Sequence, residues 1–142
     1  MGKVADILRA RGELDEALRI RREEQLPVYD RLGDVRERAL TMGRVADILQ
    51  ARGELDEALR IRREEELPVY DRLGDVRSLL VGRVNLAITL VRRGHPGDKP
   101  EIDRLLILAL RDARRLRLPE AQQIAGLVRQ LGGNPDAPPF VD

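Results

Sequence analysis

The sequence predicts an all-helical fold of stacked helical hairpins. Three features point to it: few aromatics, a near-exact internal repeat, and apolar residues recurring at three- and four-residue steps. Hydrophobic residues fill 42% of the 142 positions but aromatics only 2%, so Leu, Ile, Val and Ala must make the interior without large rings. Helices packed face to face can do that, whereas strands favour β-branched and aromatic side chains. The length suits a single domain.

The repeat sets the architecture. Residues 1–36 equal residues 42–77 except at Lys3/Arg44, Arg9/Gln50 and Gln25/Glu66, a spacing of 41 residues. A third, more diverged copy keeps that spacing through Ala5, Ala46, Ala87; Leu8, Leu49, Leu90; and Gly12, Gly53, Gly94. Beyond Gly94 the match resumes with ten extra residues, about His95 to Arg104: Ala58-Leu59 finds Ala109-Leu110, and Leu67-Pro68 finds Leu118-Pro119. The insert, HPGDKPEIDR, begins as a loop and ends by lengthening the next helix, with Pro100 suited to a first helical turn.

Within a repeat, helix A is expected over about 35–52, with Val35, Ala39, Met42, Val45, Ala46 and Leu49 on one stripe. Asp34 can cap its start, with Glu37 completing a capping-box-like pair, and Gly53 stops it. Gly12 and Gly94 are expected to turn the chain in the same way. Helix B follows with an acidic first turn (Glu54, Asp56, Glu57) and the apolar series Leu55, Ala58, Leu59, Leu67, Tyr70, Leu73. The short link between A and B makes each repeat an antiparallel hairpin. Pro68, like Pro27 in the first copy, either ends helix B or kinks it. The helical composition of Val69 to Leu73 and the Gly74-Asp75 stop favour a kink.

These residues resemble a known pattern. Met42, Val45, Ala46, Leu49, Gly53, Ala58 and Pro68 fall in the order of the large, small, glycine, alanine and closing proline positions of tetratricopeptide repeats. The likeness covers about residues 1–94 and, more loosely, 105–118. The period exceeds the roughly 34 residues usual for the family, so the chain is similar to the extended-period bacterial arrays attached to STAND/NB-ARC ATPases. The resemblance implies an α-solenoid of hairpins wound into a right-handed superhelix, whose concave helix-A wall holds a peptide or partner protein. By that analogy the groove positions are Lys3, Asp6, Arg9, Arg44, Asp47, Gln50, Asn85, Ile88 and Val91. Family members that clamp a C-terminal carboxylate use Lys and Asn on helix A. Gly43 and Asp47 stand at the corresponding positions of the second copy, so the clamp is not implied.

The expected organisation is a repeat domain over 1–131, with repeats at about 1–34, 35–75 and 76–118, a capping helix at 119–131, and a Pro-rich mobile tail at 132–142. The cap covers the apolar run Leu105 to Leu110 with Ala121, Ile124, Val128 and Leu131. The first copy lacks counterparts of Val35 to Thr41, so the chain reads as the C-terminal piece of a longer array whose uncovered first repeat drives self-association.

The chemistry-bearing residues point away from catalysis. Twenty-six basic and 25 acidic side chains nearly cancel to +1, which argues against a nucleic-acid binder relying on a concentrated basic surface. Without cysteine there is no thiolate nucleophile or thiolate metal site, a pattern that fits the cytoplasm. No apolar run approaches the length of a membrane span. His95, the one histidine, has no His or Cys to share a metal, and no phosphate-binding glycine pattern occurs. The runs Arg21-Arg22-Glu23-Glu24 and Arg62-Arg63-Glu64-Glu65-Glu66 read as solvated faces with ion pairs three and four apart. Arg111, Arg114, Arg115 and Arg117 read as a surface face, and Phe140 as part of a free tail.

The expectation is therefore no enzyme, no cofactor, no metal, no nucleic acid and no membrane. It is a protein-interaction scaffold, or alternatively a structural element that self-assembles through its first repeat. In the scaffold reading, replacing Arg44 or Asp47 changes partner binding and leaves the melt nearly unaltered.

Overall fold

The computed structural model describes residues 2–137; within its first helix the side chains of residues 2, 3, 5 and 7–9 lie outside the description. Every regular element among the described residues is helical: α1 Gly2–Arg19, a π-helical segment Ile20–Gln25, α2 Leu26–Leu32, α3 Val35–Ala51, α4 Leu55–Ile61, a second π segment Arg62–Glu66, α5 Leu67–Leu73, α6 Val76–Arg93, a 3-10 turn Pro96–Asp98, α7 Lys99–Arg115 and α8 Glu120–Gln130. They divide into two compact units, Met1–Val69 and Tyr70–Asp142.

In the first unit α3 packs on α4 and on the π segment that follows it. Asp34 caps α3 by accepting the Glu37 backbone N–H at 3.1 Å, and the helix stops ahead of Gly53, whose φ of 83° turns the chain without a Cβ penalty. Met42, Val45, Ala46 and Leu49 of α3 then close on Ala58 and Ile61, with Leu18 joining the same cluster. Fully burying each of the larger of these side chains contributes about 1.5–3 kcal/mol. Two residues of the expected stripes fall outside the core. Val35 and Leu73, the first residue of α3 and the last of α5, are exposed.

Helix B is not ended by its proline. α4, the π segment and α5 run without a break to Leu73. The Leu67 N–H reaches back five residues to the Arg62 carbonyl, and Leu26 does the same to Arg21 in the first copy. This widened turn just before the proline relieves the clash that a ring at position 68 would make with an α-helical carbonyl four residues earlier.

The first copy departs from the expected hairpin. Gly12 does not turn the chain: α1 continues through it to Arg19. A glycine inside a helix costs only about 1 kcal/mol relative to alanine. The stop at Gly53, by contrast, is stabilised by the apolar cluster that forms across the turn. α1 begins at Gly2, about three turns before Gly12, whereas α3 begins about five turns before Gly53 and so brings more apolar surface to the fold-back.

In the second unit α6 packs on α7, and α7 on α8. The inserted residues form the 3-10 turn and the start of α7, with Pro100 in its first turn, and Asp98 is held by Arg93 at 2.8 Å. Leu80 of α6, Ala109, Leu110 and Ala113 of α7, and Ile124 and Ala125 of α8 share one core cluster, so α8 covers the apolar side of α7 as expected of a cap. The segment after α8 is not a free tail up to Ala137. Pro135 is buried, its carbonyl accepts from Arg114 at 3.0 Å, and the Asp136 carboxylate lies 3.1 Å from the same guanidinium. Arg114 is thus committed to the chain's own backbone. Residues 138–142, Phe140 among them, lie outside the described residues.

Candidate functional site

The sequence-derived groove positions fall into three groups. Asn85 and Ile88, on α6, line one cleft of about 320 Å³ between α6 and α8 in the second unit. Its floor and walls are apolar, from Leu80, Val81, Val84, Ile124 and Leu127 as well as Ile88, and Gln123 and Glu120 stand with Asn85 as its polar groups. α8 places them because its one buried face, Ile124 and Val128, turns toward the core and leaves Gln123 and Leu127 at the margin. Glu120 occupies the first position of α8. Its own backbone N–H and the Arg77 guanidinium, 2.6 Å away, hold its carboxyl below the usual carboxylate range. The cleft therefore has a greasy wall and one end that stays anionic.

Val91 lies one turn further along α6 and lines a second cleft, about 410 Å³, with Leu90, Ile102, Leu131 and the inserted turn at His95 and Lys99. His95 is an exposed rim residue there. The insertion, which the sequence located but gave no role, builds one wall of this cleft.

The positions in the first unit behave differently. Asp47 and Gln50 are brought together, but around Arg62. This side chain is only 1% exposed and reaches from the π segment to donate from Nη2 to Asp47 Oδ1 at 2.7 Å and to Gln50 Oε1 at 3.3 Å. Glu66 lies one turn on, 3.5 Å from Nη1. Asp47 is thus the outer anchor of a buried guanidinium as well as a surface residue. Removing it leaves a buried charge short of an acceptor, which costs stability. An Asp47 change is therefore expected to lower the melt as well, whereas Arg44 is exposed. Asp6 is exposed on α1; Lys3 and Arg9 lie on α1 with side chains outside the described residues.

Arg62 and Glu66 correct the sequence-based picture of a solvated charged run. Their signal was present in the spacing. Ala58, Arg62, Glu66 and Tyr70 are four apart and all buried, a register that a widened π turn before Pro68 keeps on one face while an unperturbed α-helix rotates it away. Gly43 belongs to the same arrangement. A Cβ there would overlap the Glu66 carboxylate.

Comparisons with protein-family models, with curated proteins and with solved structures find no match to this chain. Among the described residues no helix is long and apolar enough to cross a membrane, and no cluster of His, Cys, Asp and Glu has the makings of a metal site.

Proposed function

We propose that the chain is a tetratricopeptide-like interaction module of the cytoplasm, a scaffold without chemistry of its own, that binds an extended peptide or a segment of a partner protein on its helix-A surface. The α6–α8 cleft carries this reading. It holds Asn85 and Ile88, two positions picked by the tetratricopeptide analogy, in an apolar slot with a few polar groups, the usual make-up of a site that takes an apolar side chain and fixes its neighbours. With the Glu120 carboxylate already paired to Arg77, Asn85 and Gln123 are the polar groups that favour a ligand with an amide-bearing residue beside its apolar anchor.

Selection of displayed random peptides on the immobilised chain tests this. Val81, 39% exposed at the cleft, can be changed to aspartate without opening the core. Enriched peptides should carry an apolar anchor and lose at least about tenfold in affinity against the Val81→Asp chain, the order expected for a charge placed in an apolar contact. Enrichment indifferent to that substitution removes the cleft from the function. A second reading, self-assembly through the first copy, is favoured by a separate observation in the first unit.

A further inference from the structure

The two near-identical copies form an internal control for how one sequence behaves in two settings. Residues 10–20 and 51–61 are the same eleven amino acids. In the second copy they leave the helix at Ala51, turn at Gly53 with φ 83° and re-enter at Leu55. In the first they stay within the straight helix α1 up to Arg19. The cost of staying straight appears in side-chain cover. Val45 is fully buried, while its counterpart Val4 is 72% exposed. Ala58 and Ile61 are buried, while Ala17 and Ile20 are only half-buried.

The cover missing from Ala17 and Ile20 has a known identity, because the second copy displays it. Ala58 and Ile61 are closed off by Met42, Val45, Ala46 and Leu49 of the preceding helix. The first copy carries the same four residue types at the same spacing ahead of Gly12. Among the described side chains, the continuous helix α1 carries Val4 away from its target: Val4 and Ile20 are sixteen residues apart, about 24 Å at 1.5 Å per residue. Each chain therefore holds both halves of an interface that it does not close on itself.

We propose that a second copy of this chain supplies the cover. The segment before Gly12 of one chain packs on Ala17 and Ile20 of the other, as α3 packs on α4, and the exchange is reciprocal, giving a closed two-fold dimer with Gly12 as its opened hinge. Opening a turn and exchanging the freed element reuses native contacts and creates no new ones. The proposal stands independently of the peptide cleft, which lies in the other unit.

The chain contains no cysteine, so introduced thiols report cleanly. One chain carries Val4→Cys and another Ile20→Cys; they are unfolded together, refolded at low micromolar concentration and oxidised. A disulfide requires Cα atoms within about 7 Å, which the straight helix forbids within a chain. The expected product is a covalent heterodimer in the mixture, with little covalent dimer from either chain alone. The Val4→Cys/Ala17→Cys pair repeats the test should a thiol at position 20 impair folding. A chain bearing both Val4→Cys and Ile20→Cys should run as a covalent dimer. An internally bridged monomer means that the hairpin closes within one chain, and no bridge means that the face has no such partner; either overturns the proposal. So does light scattering that gives 16.1 kDa for the unaltered chain across the micromolar range, in place of twice that mass.

Discussion

Gly43→Ala is a substitution whose sign depends on one distant carboxylate. Position 43 lies in the middle of α3 and is buried. By helix propensity alone, alanine there should stabilise the protein by about 1 kcal/mol. The added methyl group, however, would overlap Glu66 Oε2 and stand 2.9 Å from its Cδ. That carboxylate cannot swing freely into water: Glu66 is 5% exposed and faces the buried Arg62 guanidinium. Displacing it takes the buried carboxylate from the guanidinium and leaves the exposed Asp47 as its anionic neighbour, and breaking a buried pair costs about 3–5 kcal/mol. The net expectation is a loss of about 2–4 kcal/mol, or a Tm lower by roughly 6–15 °C for a chain of this size.

With Glu66→Ala already in place the overlap is gone, and Gly43→Ala should stabilise by about 1 kcal/mol. The four chains of this cycle are compared by circular dichroism at 222 nm in urea and on heating. One fixed protein concentration is used, since association would make Tm concentration-dependent. A Gly43→Ala chain more stable than the unaltered one in both backgrounds would refute the tie between Gly43 and the buried Arg62–Glu66 pair.

The same substitution at the two matched glycines should have opposite signs. Gly12→Ala, inside α1, should stabilise by about 1 kcal/mol and raise the dimer fraction, while Gly53→Ala, at a φ of 83°, should destabilise by about 1 kcal/mol or more; equal losses at both sites, measured by urea titration, would mean that Gly12 also turns. Arg117 holds φ 56° just after α7, where the Leu118 N–H reaches back to the Ala113 carbonyl; Arg117→Gly should raise stability by about 0.5–1 kcal/mol, and a lower Tm would show that the guanidinium contributes more than the backbone strain costs. Glu120 has a lowered carboxyl pKa in the folded chain, owing to its own backbone N–H and Arg77, so its contribution to stability is present above the ordinary value of 4.5 and is lost as pH falls below that toward the folded pKa. Glu120→Gln should accordingly flatten the fall of Tm below pH 4.5, and an acid limb unchanged by the substitution would show that the Arg77 pairing adds nothing.

What the sequence made legible followed from local chemistry reinforced by burial. The α3 stripe from Ala39 to Leu49, the Asp34 cap, the start of α7 near Pro100 and the α8 cover over Ala109 and Leu110 each rest on a pattern that local propensity and tertiary packing both favour. Asn85 and Ile88, placed on α6 by the tetratricopeptide analogy, both line the α6–α8 cleft. The failures share a different origin. Ion-pair spacing places Arg62 and Glu66 in a solvated run, whereas the π-helical segment that carries them buries both. The fold-back of Pro135 and Asp136 onto Arg114 depends on a partner more than twenty residues away, which no local pattern records.

Gly12 is the sharpest case, because its surroundings in sequence are those of Gly53 and its conformation is not. Eleven identical residues cannot by themselves encode both a helix interior and a turn. The choice must come from outside them, and here the difference lies upstream: α3 begins at Val35, two turns earlier relative to its glycine than α1 begins relative to Gly12. Those extra turns contribute Ala39, buried at 1%, and bring Met42 into a helix already anchored by its cap. A turn that costs backbone hydrogen bonds forms where the returning helix meets such a surface, and the chain stays straight where it does not. By this logic an upstream segment of the same chain that supplies that surface should convert Gly12 from a helix interior into a turn, whereas a second copy, which covers Ala17 and Ile20 without any turn, should leave Gly12 helical.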